Sequence, residues 1–248
     1  MFTIGCDPEI FFLNPRTRRA VSAIGHVGGT KHHPIPLWEH GQIQEDNVTA
    51  EFTIDPVSHL DDFKGYVITS VLRVREIAQS LNYDIGMDCA YLYSKTMLQS
   101  YGPKAIEIGC DPDFFVGALN PRPVALRDGW RYAGGHVHLG IAEECDTEAS
   151  IELALRMNAA IGGGWMVTKH KYTKRAQAYP MNIFRPKKYG AEFRGLPNTW
   201  VFYERAIDWV YNTTKHVYDN LHTTSGHYNS WPSTIDDRRL GKSYLVGE

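Results

Sequence analysis

The residues best placed to do chemistry are two histidines and a set of carboxylates, all in stretches that alternate like strands. In Arg131-Tyr-Ala-Gly-Gly-His136-Val-His138-Leu-Gly-Ile141 the alternation puts His136 and His138 on the same face, so two imidazoles are aimed at one point. A lone histidine in a strand is usually core or surface filler; two on one face beside a glycine pair are harder to dismiss. Gly134 and Gly135 let a backbone or a bulky ligand come close, which a side chain at either position would prevent. What the pair does depends on which carboxylates join it.

Several carboxylates are candidates. Ile4-Gly-Cys-Asp7-Pro-Glu9-Ile-Phe-Phe12 is nearly repeated by Ile108-Gly-Cys-Asp111-Pro-Asp113-Phe-Phe-Val116, and each copy runs on to an Asn-Pro-Arg turn. In an extended chain Asp7 and Glu9 share a face, as do Asp111 and Asp113. Pro8 and Pro112 cannot donate to a ladder, which places each pair near a strand start or at an edge. Paired carboxylates persist either as solvated turn residues or because a cation sits between them. The duplicate, flanked by apolar residues both times, favours a functional face. Residues 42–56 read as one strand ending at Pro56, with Glu45, Asn47, Thr49 and Glu51 on one face; Asp46 then faces away unless a bulge re-aims it.

Basic residues gather downstream. Lys171 to Arg194 reads as a basic loop followed by two short strands around a Lys-Lys-Tyr-Gly turn, with Glu192 and Arg194 on one strand face. Cations held beside apolar strand residues suit an anionic ligand such as a polyphosphate. Gly28-Gly-Thr30-Lys31 lacks the spacing of a phosphate loop and reads as an ordinary turn, and His32 and His33 sit in a proline-rich, solvated loop.

Helices should back the sheet that carries these residues. Ser58-His-Leu-Asp61 resembles a capping box, and Leu60, Phe63, Val67, Val71, Val74, Ala78 and Leu81 follow at helical spacing. Thr147 to Val167 reads as a second helix, loosened at its end by Gly162-Gly-Gly164, and Asn198 to Leu221 as a third. The polar, turn-rich tail from Thr223 to Glu248 is expected to pack poorly.

Composition sets the class. A chain of 248 residues with 43% hydrophobic and 12% aromatic residues can bury a core without staples. A formal charge of −2 argues against nucleic-acid binding through bulk electrostatics. Cys6, Cys89, Cys110 and Cys145 form no C-x-x-C and are expected to be reduced and structural. The longest apolar stretch is too short and too glycine-rich to span a bilayer, and a basic-then-apolar leader is absent, so a cytoplasmic location is expected.

The order of motifs resembles the carboxylate-amine ligase type 2 family, the phage and bacterial amidoligases related to glutamine synthetase and glutamate-cysteine ligase. The resemblance rests on Gly-Cys-Asp-Pro-Glu9, Asp46-Asn-Val-x-x-Glu51-Phe, the second Asp-Pro-Asp-Phe, Gly-Gly-His136-Val-His138-Leu-Gly and Tyr-Gly-x-Glu192-Phe-Arg194, spread from about residue 4 to about residue 205. It implies an α+β fold, a curved, mostly antiparallel glutamine-synthetase-like sheet with helices on its outer face, over residues 1–222, followed by the tail 223–248. It also implies that Glu9 and Glu51 bind metal with Asp7 or Asp46 in support. His136 would be a metal ligand and His138 the neighbour that reaches nucleotide phosphate or ribose. Glu192 would hold a second metal, and Arg194 and Arg185 would bind phosphate, with Arg175 a weaker match. The opposite strand parity of Asp46 and Glu51 departs from the family pattern and leaves one metal's third ligand open.

The cofactors implied are ATP and Mg²⁺ or Mn²⁺. The implied reaction is attack of a substrate carboxylate on the ATP γ-phosphate to give an acyl phosphate, from which an amine displaces phosphate. Partners would be small-molecule or peptide carboxylates and amines, with no nucleic acid and no membrane; a homo-oligomer is left open, and a phage-encoded chain would work in the host cytoplasm. Two other readings compete. His136-x-His138 followed by Glu143 mimics a first cupin motif, but the second motif is missing downstream. A non-catalytic nucleotide-binding or viral structural protein on the same fold would usually have lost acidic ligands, and Glu9, Glu51 and Glu192 are all present.

Overall fold

The computed structural model of the protein describes residues 1–106, 113–115, 118–122, 129–141, 144–162, 165–166, 170–221, 235–236 and 240–245. In chain order the first half holds β1 (Thr3–Leu13), β2 (Ala20–Val21), β3 (Ile35–Trp38), β4 (Gly41–Asp46), β5 (Thr49–Ile54), α1 (Leu60–Ser80), β6 (Asp84–Gly86), β7 (Ala90–Leu92), α2 (Lys95–Ser100), α3 (Pro103–Ile106), β8 (Asp113–Phe115) and β9 (Ala118–Arg122). The second half holds β10 (Trp130–Tyr132), β11 (Gly135–Gly140), α4 (Thr147–Met157), β12 (Trp165–Met166), α5 (His170–Ala178), β13 (Ile183–Lys187), β14 (Gly190–Phe193), α6 (Glu204–Asp219) and β15 (Ile235–Asp236). The fold is mixed α and β, built on an open, antiparallel path in the order β3-β4-β5-β1-β11-β14-β13-β8-β9, with β2 and β6 also pairing β1. Two short pairs, β10 with β7 and parallel β12 with β15, lie off it.

One face of this sheet is apolar and carries the helices. Ile4, Cys6, Ile10 and Phe12 of β1, Ala50 and Phe52 of β5, Val137 and Leu139 of β11 and Ala191 and Phe193 of β14 are buried in one cluster. The same cluster takes Phe63, Val67, Val71, Val74 and Ala78 from α1 and Ile207, Val210 and Val217 from α6. Burying each larger side chain contributes roughly 1.5–3 kcal/mol, so this interface dominates the stability of the sheet. The apolar spacing thus gives α1 where expected, but the Ser58 capping box does not form. His59 occupies the N-cap position without a side-chain bond, and the Ser58 carbonyl accepts from Tyr211 Oη at 2.6 Å.

Pro8 corrects a second expectation. It lies in the middle of the central strand, not at a start or an edge. β1 pairs β11 from Thr3 through Pro8 and pairs β5 only from Glu9 onward, so the proline sits where the strand changes partner and its missing N–H interrupts neither ladder. The next N–H, that of Glu9, donates to Gly134 O at 2.9 Å. The two aspartate-rich copies are not equivalent in the sheet: β1 is central, whereas β8 lies beyond β13, near one end of the path. Asp111 and the side chain of Asp113 lie outside the described residues.

Residues 42–56 form a hairpin and not one strand. Asp46 pairs with Thr49, Gln44 with Glu51 and Gly41 with Ile54 around Asn47-Val48. Asn47 has φ +50°, a left-handed value that asparagine tolerates, and its Oδ1 accepts from Val48 N at 2.9 Å. Reversing the chain also reverses parity: Asp46 now faces the same way as Glu51.

Three further segments differ from their sequence reading. The helix from Thr147 ends as α4 at Met157 and passes through a π-helical turn, Asn158–Gly162, before β12. The expected basic loop is helical as α5, in keeping with the helix propensity of its Lys, Arg, Gln and Ala residues. The third helix is split into a 3-10 turn, Asn198–Phe202, and α6. The described end of the tail is packed: Leu240, Ser243 and Leu245 are buried, and Tyr244 Oη donates to Val201 O at 2.6 Å. Among the described residues no helix is long and apolar enough to cross a membrane.

Candidate functional site

The polar face of the sheet gathers the candidate residues by register alone. Directly opposed residues of antiparallel strands share a face, with Cβ atoms about 4.5–5.5 Å apart. Gln44 opposes Glu51, Glu51 opposes Glu9, Asp7 opposes His136, His138 opposes Glu192 and Glu192 opposes Arg185. One row of polar side chains therefore runs across β4, β5, β1, β11, β14 and β13. It lines a cavity of about 470 Å³ whose walls include Asp7, Glu9, Asp46, Glu51, His136, Arg185, Glu192 and Arg194.

At the β1–β5 side the cavity is acidic. Glu9 accepts from Gly134 N at 2.7 Å, and Glu51 accepts from Gln44 Nε2 at 2.8 Å. Among the described residues neither carboxylate forms an ion pair with a lysine or arginine. Burial, and then the charge of Asp46, push Glu9 up to about 8, against the Gly134 N–H and the more distant charges of Arg194 and Arg175. Burial and the neighbouring Asp7, Asp46 and Glu9 likewise push Glu51 well above the usual carboxylate range. Glu9 and Glu51, crowded by Asp46 and Asp7 on one wall, form an arrangement that a divalent cation would relieve. The donor set, mostly carboxylate oxygen with imidazole beside it, suits Mg²⁺ or Mn²⁺.

At the β13–β14 side the cavity is basic and already balanced. Glu192 is 1% exposed and meets Arg194 Nη1 at its Oε1, Lys187 Nζ at 2.7 Å at its Oε2, and Arg185 Nη1 at 3.7 Å. Burial works against its charge, but the Arg194 guanidinium, helped by His138 and His136, holds it well below the usual range. Glu192 thus anchors three cationic groups around one anion. Their surplus positive charge faces the cavity, where a polyphosphate would be favoured.

The two histidines stand between these poles in different states. His136 Nδ1 accepts from Arg194 Nη1 at 3.1 Å, and its Nε2 lies 3.9 Å from Glu9 Oε1. Burial and then the Arg194 charge lower its pKa. His138 is lowered by burial but raised overall by Asp7, whose Oδ1 lies 2.9 Å from His138 Nε2. The two imidazoles return the effect: although burial opposes it, Asp7 is held well below its ordinary value. Ligand atoms of Asp7, His138 and Glu192 lie within 4.8 Å of one another, one of the spacings a metal ion needs. The triple includes His138, which the family resemblance assigns to nucleotide, and not His136.

The glycine pair serves the protein's own packing. A Cβ on Gly134 would sit 2.1 Å from His136 Nε2, and one on Gly135 would sit 2.4 Å from Trp200 Nε1. Both positions therefore have to be glycine for His136 and Trp200 to pack where they do. Arg175 lies under the site and not among the residues lining the cavity. It is 1% exposed and donates to Ala133 O, Gly195 O and Arg194 O at 3.0, 2.7 and 3.1 Å, tying α5 to the segments that carry His136 and Arg194.

Sequence reasoning missed several participants. Lys187 is two residues beyond Arg185 on the same strand face, so the period of two could have found it. Gln44 could be found only once the hairpin was known. Thr30 and Lys31 of the supposed ordinary turn and Lys104 of α3 also line the cavity. Glu45 pairs with Ala50 and so does not share a face with Glu51 as predicted; it still lines the cavity, and accepts from Gly25 N at 2.7 Å and from Lys104 Nζ at 2.7 Å. Glu143, the third member of the cupin-like motif, lies outside the described residues. No protein-family model matches the chain, and no curated protein matches it.

Proposed function

We propose that this chain is an ATP-dependent carboxylate-amine ligase on a curved, glutamine-synthetase-like sheet, forming an amide or peptide-type bond through an acyl phosphate. One observation carries the reading: Glu9 and Glu51, which have no lysine or arginine partner among the described residues, face, across one cavity, a cluster of cations organised around Glu192. An acid pole and a basic pole in one cleft match the needs of a metal-nucleotide complex better than those of a single metal ion or a neutral ligand. The open antiparallel path also fits this reading better than a closed cupin barrel.

Glu9, Glu51, Asp46 and Asp7 would hold divalent ions, with His136 or His138 and Glu192 completing the donors. Bound there, the ions would draw electron density from the γ-phosphoryl group. Arg194 and Arg185, joined by Lys187, would neutralise the charge that develops as the substrate carboxylate attacks. The residues that line the cavity from the β4 hairpin would face the carboxylate and the amine that later displaces phosphate.

The test is calorimetric binding of Mg-ATP, paired with ADP release in the presence of pooled carboxylates and amines. Saturable, cation-dependent ATP binding with carboxylate-dependent ADP release is expected. No ATP binding with either Mg²⁺ or Mn²⁺ present would sink the proposal, and tight binding without turnover would favour a non-catalytic nucleotide-binding protein.

A further inference from the structure

Beside the row of candidate ligands lies a tyrosine that the ligase reading does not use. Tyr189 is the second residue of the Lys188-Tyr189 turn between β13 and β14 and is 39% exposed. Its hydroxyl is hydrogen-bonded to His138 Nδ1, and the two rings are tilted by 35° with centroids 6.1 Å apart. The other ring nitrogen, Nε2, is 2.9 Å from Asp7 Oδ1. His138 Nε2 and Asp7 Oδ1 are both buried, and among the described residues neither makes an aligned hydrogen bond, so their 2.9 Å approach is a polar contact. Asp7 Oδ1 also lies 3.3 Å from His136 Nδ1. Tyr189, His138 and Asp7 therefore form a chain from an exposed turn to a carboxylate of the cavity wall.

We infer that Tyr189 is a positioning residue: its hydroxyl fixes the ring and the tautomer of His138, so that Nε2–H faces Asp7 and sets how that carboxylate is presented to a divalent cation. The chemistry of the groups restricts the choice. A hydroxyl that donates to Nδ1 leaves the proton of a neutral ring on Nε2, the nitrogen that lies 2.9 Å from Asp7 Oδ1. The neutral ring then has a lone pair at Nδ1, and a tyrosine hydroxyl can donate to it. Without the hydroxyl, the ring has lost the partner that holds it in this tautomer. A partner on the far nitrogen of a histidine commonly changes metal affinity by about 10- to 100-fold, and here the effect would pass through one further residue, Asp7. The assignment of the cation to this carboxylate wall rests on the ligase reading; the Tyr189–His138 hydrogen bond does not.

The experiment compares the full-length protein with Tyr189→Phe and Tyr189→Leu. First, the ¹⁵N shifts of His138 are recorded without divalent ions at alkaline pH, where the ring is neutral. The wild type is expected to show a protonated Nε2 and a hydrogen-bonded, unprotonated Nδ1; in Tyr189→Phe, which keeps the ring packing, the Nδ1 signal should move toward a free lone pair or a mixture of tautomers. Second, Mn²⁺ affinity is measured by electron paramagnetic resonance, with a loss of at least several-fold expected in Tyr189→Phe and a similar loss in Tyr189→Leu. Unchanged ¹⁵N shifts in Tyr189→Phe would overturn the inference, as would an unchanged Mn²⁺ affinity where the wild type binds the ion. If the wild type binds no Mn²⁺, the reading of the acid wall fails while the ¹⁵N comparison still decides the role of Tyr189.

Discussion

The two ends of the cavity hold similar numbers of ionisable groups but treat them in opposite ways. At the β13–β14 end, Glu192 is surrounded by Arg194, Lys187 and Arg185, and its charge is stabilised. At the β1–β5 end, Glu9 and Glu51 face each other on adjacent strands with Asp46 and Asp7 nearby, and their charges are destabilised. A fold tolerates a complete ion cluster without help, whereas crowded carboxylates await a cation or a proton. On the proposed reading, the acidic end would take the metal ions and the basic end the phosphates.

Breaking the basic end should have the largest effect. Arg194→Lys replaces a guanidinium that bonds both Glu192 and His136 with a single ammonium, and ADP release should fall by about 10³-fold or more. Near-normal release would mean that Arg194 only supports the sheet. Glu192→Gln should abolish ADP release and also lower unfolding stability by about 3–5 kcal/mol, because it strands buried cations. A denaturant midpoint equal to that of the wild type would contradict the balanced-cluster account.

The acid end should show itself through pH. Glu9 has a folded-state pKa of about 8 against an unfolded value near ~4.3, so the fold holds this proton when the unfolded chain has lost it. Its contribution to stability is therefore fully present below about pH 4.3 and is lost as pH rises toward about 8. Thermal melts of the cation-free protein should fall over that interval, and Glu9→Gln should flatten the fall. Asp7 and Glu192, both held low, act in a separate window: their contribution is present above the ordinary carboxylate range and is lost in stronger acid. The histidines oppose one another, since His136 is lowered and His138 raised. Mg²⁺ or Mn²⁺ should raise the melting temperature more at pH 8 than at pH 6; an equal shift at both would argue against cation binding at Glu9.

The smallest effect sharpens the comparison within the hairpin. Asp46→Asn should weaken Mn²⁺ binding without a large change in stability. Glu45→Gln should leave Mn²⁺ affinity intact and cost about 1–3 kcal/mol, because Glu45 bonds Lys104 and the backbone near Gly25. The reverse pattern would restore the single-strand reading of this segment.

Much of the face was legible from spacing. The period of two put Asp7 with Glu9, His136 with His138, and Glu192 with Arg194, and those parities hold in the sheet. Helical spacing found the buried stripe of α1 for the same reason: local periodicity reflects which side of an element meets the core. It failed for Asp46 and Glu45, because a reversal at Asn47-Val48 looks like continued alternation until the partner strand is known. It also left the role of Arg175 open, since a buried guanidinium bonded to backbone carbonyls has no signature in the chain.

Local spacing reveals which residues can share a face, because side-chain direction along a strand or helix is fixed by backbone geometry over a few residues. Which faces meet is settled by how the strands pair in three dimensions. The assembled sheet put Glu51 opposite Glu9, gave Arg194 to His136 and Tyr189 to His138, and brought Lys187 onto Glu192. Charge balance depends on these distances through space, and strand order, which sets Thr3 opposite Gly140, is not encoded in any local pattern.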